Sequence, residues 1–384
     1  MTRILITGGG TGGHVQPALC VIAELRNCQP NVSLLYIGSA AGIEAKLARE
    51  ADVDFAAVSV GKLRRSSNGV RGLLTSQNAM DAIRIPVGIL QSLAAVRKFR
   101  PDAVLGTGGY VSVPTIVAAG ILRTPVLIHE QTVTFGLANT IAGRFATRIA
   151  VSFEDSLAEL PGGLRRKAFV TGNPVRRECF DGDRTAAVSR FGFDHADDGL
   201  PCVYVTGGVQ GSHKVNDAVR GALSQLLART RVLHQCGSAD AAEMYGVKGA
   251  LSDQFRGRYV VRPFVERDEI GDVYALADVV VGRSGAGTIA ELAALGKPSV
   301  LIPLEPSAGD EQRRNAQRLA DAGGAIVVRQ GDLDAASLVD AVQPILDDRD
   351  RRAAMGASLR LLATPNAAVD IANALLALAY GHTH

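Results

Sequence analysis

Short β-branched, apolar runs alternate along the whole chain with longer Ala- and Leu-rich stretches whose apolar positions recur at helical spacing. The strand-length runs in the first half are Arg3–Thr7, Ser33–Ile37, Phe55–Val60, Ala103–Gly106, Pro125–His129 and Arg148–Ser152. In the second half they are Cys202–Thr206, Arg231–Gln235, Tyr259–Arg262, Val279–Gly282, Ser299–Ile302 and Ala325–Val328. Strands buried on both faces read as continuous apolar runs, so the pattern predicts an α/β chain with parallel sheets covered by helices. Each set opens with a strand that runs into glycines, which predicts two Rossmann-like, doubly wound domains meeting near Gly172-Asn173-Pro174. The expected boundaries are 1–172 and 173–364, with a last helix over 365–380 that starts at Thr364-Pro365 and packs back on the first domain. The polar, basic stretch Gly61–Gln77 reads as a mobile loop beside the first domain's binding edge.

A chain of 384 residues suits two domains, and 47% hydrophobic with 21% charged residues is an ordinary globular balance. The formal charge of +3 gives no bulk electrostatic case for nucleic-acid binding, so any anion site must be local. The apolar run at the start is too short for a signal peptide, and no later run reaches the ~18 residues of a membrane span. Five scattered cysteines without C-x-x-C spacing read as free thiols in a reducing compartment.

Three glycine-rich turns lead from strands into helices. The first, Gly8-Gly9-Gly10-Thr11-Gly12-Gly13-His14, formally satisfies G-x-G-x-x-G and would serve a dinucleotide or a sugar nucleotide. A dinucleotide site needs an acidic residue at the end of the second strand, yet that strand runs out in Tyr36-Ile37-Gly38-Ser39, which argues against an oxidoreductase. The second turn is Gly207-Gly208-Val209-Gln210-Gly211-Ser212, and the third is Arg283-Ser284-Gly285-Ala286-Gly287-Thr288, leading to Glu291. Helix N-termini of this kind can hold a nucleotide diphosphate without a metal, although glycine turns also arise from packing alone. Two D-x-D strings, Asp52-Val53-Asp54 and Asp181-Gly182-Asp183, read as surface rather than as metal ligands, and Gly296-Lys297-Pro298 breaks a P-loop.

His14 follows the first turn at a helix N-terminus, which disfavours an added positive charge, so a neutral imidazole is expected there, either as general base or as filler of a polar gap. Glu291 stands three residues after Thr288, the spacing of a capping box, and could equally accept ribose hydroxyls. His129-Glu130-Gln131 and Asp310-Glu311-Gln312 with Asn315 follow strands, on the edge where ligands bind. Met80–Arg100 mixes aliphatic residues with Arg84, Arg97, Lys98 and Arg100 and reads as a half-buried helix or as a basic amphipathic surface for anionic lipid.

Taken in order, GGGTGGHVQP (Gly8–Pro17), GGYVSVP (Gly108–Pro114), HEQTVTFG (His129–Gly136), GNPVR (Gly172–Arg176), GGVQG (Gly207–Gly211), HQCG (His234–Gly237), Pro263-Phe264, RSGAGTIAE (Arg283–Glu291) and DEQRRNA (Asp310–Ala316) resemble the MurG family, UDP-N-acetylglucosamine transferases that complete the lipid-linked peptidoglycan precursor. The resemblance implies the GT-B fold, two Rossmann-like domains facing a cleft, with the acceptor on the first and UDP-GlcNAc on the second. It implies an inverting, metal-independent transfer with His14 as base and no cofactor beyond the donor. Arg176, Gly207, Gly208, Gln210, Gly211, Ser212, Arg283, Ser284, Gly285, Ala286, Gly287, Thr288, Glu291 and Gln312 would bind the donor. Thr11, Gly12, Gly13, Tyr110, Glu130, Gln131 and Thr132 would line the acceptor side. Met80–Arg100 would dock on the cytoplasmic face of the membrane as a peripheral contact. Val209, Thr132, Phe135, Val113 and Glu311 depart from the usual family residues, which leaves a transferase of a secondary-metabolite or phosphoglycolipid pathway as the alternative. A UDP-GlcNAc epimerase or a nucleotide-sugar sensor ranks lower, the first for want of carboxylates near the sugar.

Overall fold

The computed structural model describes residues 1–61, 76–193 and 199–381, and most of the loop expected over Gly61–Gln77 lies outside them. The chain divides into two compact units, Met1–Pro174 together with the residues from Thr364, and Val175–Ala363.

The first unit carries seven parallel strands: β1 (Arg3–Thr7), β2 (Ser33–Gly38), β3 (Asp54–Ala57), β4 (Ala103–Gly106), β5 (Val126–Glu130), β6 (Arg148–Val151) and β7 (Ala168–Val170). Their order across the sheet is β3-β2-β1-β4-β5-β6-β7. The central strands are apolar on both faces because helices cover both. Ile4, Ile6 and Leu105 pack with Val15, Leu19 and Ile22 of the helix Gly12–Cys28, while Leu5, Val104 and Ile128 pack with Ile116 and Ala119 on the other side. The last helix, Ala367–Ala379, joins the first of these clusters through Ile371, Ala372, Leu375 and Leu376. It begins after Asn366, so Thr364-Pro365 is not its cap. Thr364 instead crowds Gly172, where a Cβ would lie 2.0 Å from its Oγ1.

The second unit has six parallel strands, β8 (Cys202–Thr206), β9 (Arg231–Gln235), β10 (Tyr259–Arg262), β11 (Val279–Gly282), β12 (Ser299–Leu301) and β13 (Ala325–Val327), ordered β10-β9-β8-β11-β12-β13. Strand order reverses direction beside β1 and β4 in the first unit and beside β8 and β11 in the second. Ligands of open α/β sheets bind outside the carboxyl ends of strands at such points. The glycine turns follow β1, β8 and β11, so the topology itself places all three there.

Candidate active site

In the first unit, Gly8–Gly10 bends the chain from β1 into the helix Gly12–Cys28, whose first turn carries His14. Three neighbours crowd this bend: Thr107, whose Oγ1 would stand 2.0 Å from a Cβ at Gly8, Tyr110, whose ring lies over Gly10, and Glu44, a buried carboxylate that accepts from Ser39 N at 3.0 Å and Gly10 N at 3.4 Å. Thr11, Gly12 and Gly13 form the open start of the helix, and a Cβ at Gly12 would meet nothing within 4 Å.

The His14 ring rests on the Gly108-Gly109 backbone, where a Cβ at Gly108 would stand 3.1 Å from Nδ1. Gly108 holds φ +96°, a conformation costly for any other residue, so the bed under the imidazole depends on glycine. Nδ1 lies 2.9 Å from Gln131 Oε1 and 3.1 Å from the carbonyl oxygen of Thr107. Nε2 has no hydrogen-bond partner among the described residues.

Glu130 turns the other way. Its carboxylate accepts from Thr132 N at 3.1 Å, Thr132 Oγ1 at 3.0 Å, Gly136 N at 3.0 Å and Asn139 Nδ2 at 2.9 Å. These donors fill the carboxylate's accepting positions, so Glu130 and Thr132 hold their own loop together.

In the second unit the glycines fall into two kinds. A Cβ at Gly207 would stand 2.3 Å from Ser212 N, and one at Gly211 2.2 Å from the Cys236 carbonyl oxygen, so packing alone demands glycine at both. At Gly208, Gly285 and Gly287 a Cβ would meet nothing within 4 Å. The last two flank the start of the helix Ala286–Leu295, so its first N–H groups lie open to an anion.

Arg283 spans these turns. Its terminal nitrogens donate to Ser212 Oγ (2.7 Å), Gln330 Oε1 (2.8 Å), Ile302 O (3.0 Å) and Pro303 O (3.2 Å). Burial lowers its pKa, but a guanidinium so placed keeps its charge, and Arg283 acts as a cationic strut tying the Ser212 helix start to the end of β12. Ser284 is buried and donates to the Gln312 carbonyl oxygen at 2.7 Å, while Gln312 Oε1 accepts from Leu304 N at 3.0 Å.

The capping box expected between Thr288 and Glu291 does not form. The helix starts at Ala286 behind Gly285, which leaves Glu291 in mid-helix, one turn too late to reach a cap. Glu291 instead receives Arg176 Nη2 at 2.7 Å, Arg176 Nε at 2.9 Å and the Tyr274 hydroxyl at 2.7 Å. Burial alone would lower Arg176, yet Glu291, Cys179 and Tyr274 outweigh it and hold the guanidinium above its ordinary pKa. Burial, then the Glu291 charge, pushes the Tyr274 phenol up. Nothing in the sequence around Tyr274 singles it out.

The D-x-D residues lie elsewhere. Asp183 caps the helix Arg184–Phe191 by accepting from Ala186 N at 2.7 Å, and Asp54 is exposed at the start of edge strand β3.

Two parallel-sheet units with glycine turns at their strand-order reversals, one bearing a histidine and the other open helix N-termini beside an arginine, define a nucleotide-sugar transferase of the GT-B fold. The signature of the glycosyltransferase family 28 N-terminal domain matches residues 4–151 and that of its C-terminal domain residues 202–373, and the chain belongs to this family. It is 37% identical over 352 residues to the UDP-N-acetylglucosamine–N-acetylmuramyl-(pentapeptide) pyrophosphoryl-undecaprenol N-acetylglucosamine transferase of Lachnospira eligens, covering 91% of this chain and 92% of that protein. The transferase of the same name from Chlorobaculum tepidum is 35% identical over 376 residues, 98% of this chain and 99% of its own. Among solved structures, MurG of Acinetobacter baumannii superposes with a TM-score of 0.73 at 24% identity, covering 98% of this chain and 99% of that one. A UDP-N-acetylglucosamine 2-epimerase gives 0.65 at 15% identity, covering 100% and 98%, so the fold by itself does not separate transfer from epimerisation.

Proposed function

We propose that the protein transfers GlcNAc from UDP-GlcNAc to a polyprenyl-diphosphate-linked muramoyl-peptide, with inversion and without a metal ion, as in lipid II formation for peptidoglycan. The names and whole-length similarity of its relatives support the substrates. The observation that carries the chemistry is the His14 ring, held at Nδ1 with Nε2 unengaged beside an open helix start. Nε2 takes the proton of the attacking acceptor hydroxyl, the hydroxyl oxygen bonds the anomeric carbon from the face opposite UDP, and UDP leaves with the electron pair of the broken C–O bond. The open N–H groups at Gly285–Thr288, with Arg283 behind them, stabilise the charge that grows on the diphosphate. That set of donors and the surface placement of both D-x-D strings support metal independence.

In this reading the first unit binds the acceptor and the second the donor. Membrane contact is peripheral, on the cytoplasmic side. No helix among the described residues is long and apolar enough to cross a membrane. The helix Ser76–Phe99 leaves Val87 and Leu90 exposed (39% and 66%) in line with exposed Arg84, Arg97 and Lys98. Ile85 and Ile89 are half-buried, so Val87 and Leu90 carry the outward apolar surface of this helix.

Two variants test the division of labour. His14→Ala should lower kcat by ~10²–10⁴-fold with donor binding nearly unchanged. Gly287→Ala meets no protein atom, so stability should hold or rise by ~0.4–1 kcal/mol while UDP affinity falls. Unchanged UDP affinity would remove the diphosphate from that helix start.

A further inference from the structure

We propose that Gln131 and His129 are positioning residues that lock His14 into the one tautomer able to act as a base, through a directed hydrogen-bond chain that begins at the Gly172 carbonyl. The inference rests on the reading of His14 as base.

The direction of the chain follows from which atoms can donate. His129 is fully buried, and its Nε2 lies 3.0 Å from the Gly172 carbonyl oxygen, which can only accept. Nε2 therefore carries the ring proton, and His129 Nδ1 is left as an acceptor. Burial lowers the His129 pKa to about 4, so the ring is neutral at physiological pH and keeps that lone pair. Gln131 then has one orientation: its Nε2 faces His129 Nδ1 at 3.1 Å, Thr107 O at 2.7 Å and His129 O at 3.2 Å, all acceptors. Its Oε1 consequently points at His14 Nδ1, 2.9 Å away. With Gln131 Oε1 and the Thr107 carbonyl both accepting there, His14 Nδ1 must hold the proton, and the lone pair falls on Nε2. Thr107 Oγ1 adds a bond to the His14 carbonyl oxygen at 2.7 Å and fixes the backbone beneath the ring.

This moves Gln131 from the acceptor-lining group to a supporting one. It is buried, and its amide is committed on both ends, so it acts on the reaction through His14 and not by touching the substrate.

Heteronuclear NMR of isotopically labelled histidine reports which ring nitrogen bears the proton, with the His14 resonances assigned by their loss in His14→Ala. The expected result is an Nδ1-protonated His14 in the wild type and a mixture with the Nε2-protonated form in Gln131→Ala. Gln131→Ala should lower kcat by at least about tenfold with the KM for UDP-GlcNAc nearly constant, and should cost nothing further in a His14→Ala background. Gln131→Met, close in volume but with no oxygen facing Nδ1, should loosen the tautomer as the alanine variant does without opening a cavity, so the test stands even if the alanine variant folds poorly. A wild-type His14 protonated on Nε2, or an unchanged tautomer in Gln131→Ala, would overturn the proposal. So would an equal loss of kcat with or without His14. Failure of the base reading shows itself separately, as a His14→Ala enzyme of near-normal kcat whose wild-type tautomer is nonetheless the one expected.

Discussion

Replacing Glu291 by glutamine removes one charge from a largely buried ion pair and changes almost nothing in shape. The Arg176 and Glu291 side chains are 21% and 12% exposed, and the carboxylate also accepts from the Tyr274 hydroxyl. Leaving one partner of a buried pair uncompensated costs ~3–5 kcal/mol. Glutamine retains one accepting oxygen and the pair is not fully dry, so the lower end applies, about 3 kcal/mol. For a unit of this size that corresponds to a fall in Tm of about 6–12 °C. Thermal unfolding followed by circular dichroism would measure it, with Arg176→Gln and the double variant completing the cycle. Removing both charges should cost clearly less than the sum of the single changes, because neither partner is then left alone. A Glu291→Gln protein as stable as the wild type would refute the reasoning.

Two further outcomes follow from burial and charge. His129 and His234 are each held to about 4 by burial, below the ordinary 6.5, so both units are most stable above pH 6.5 and lose stability as the unfolded chain takes up protons below it. At pH 5 the loss should be about 2 kcal/mol per histidine, read as a lower urea midpoint than at pH 7.5, and a flat profile between those values would contradict the burial of the two rings. Binding to anionic vesicles should weaken with added salt and with Leu90→Glu or Val87→Glu while UDP affinity stays constant, and indifference of vesicle binding to all three would remove the helix Ser76–Phe99 from the membrane face.

The strands that decide the fold could be read from the sequence because both faces are covered: Ile4-Leu5-Ile6 and Val279-Val280-Val281 leave no polar phase to misread. Strand β7 could not. Its three residues Ala168-Phe169-Val170 follow Arg165-Arg166-Lys167 at a sheet edge, where half-exposure removes the apolar signal. The edge strand expected over Phe55–Val60 lies instead over Asp54–Ala57, with buried Val58 just past its end. The glycine turns were legible as motifs, but not which glycines serve packing and which leave room for a ligand, since that depends on Cys236 and Ser212 approaching Gly211 and Gly207 in space. The capping-box spacing at Thr288 misled because a spacing carries no information on where a helix begins. The partners of His14 lie 93 and 117 residues away, and only the parallel order of β1, β4 and β5 brings Thr107 and Gln131 to its ring.

Transfer of labelled GlcNAc from UDP-GlcNAc to a polyprenyl-diphosphate muramoyl-pentapeptide, in excess EDTA and with the anomeric configuration of the product determined, tests the proposed function most directly. The expected result is a β-linked disaccharide lipid formed at the same rate with and without chelator. Failure to glycosylate that lipid while another acceptor is used well, an α-linked product, or a strict need for Mg²⁺ or Mn²⁺ would contradict it.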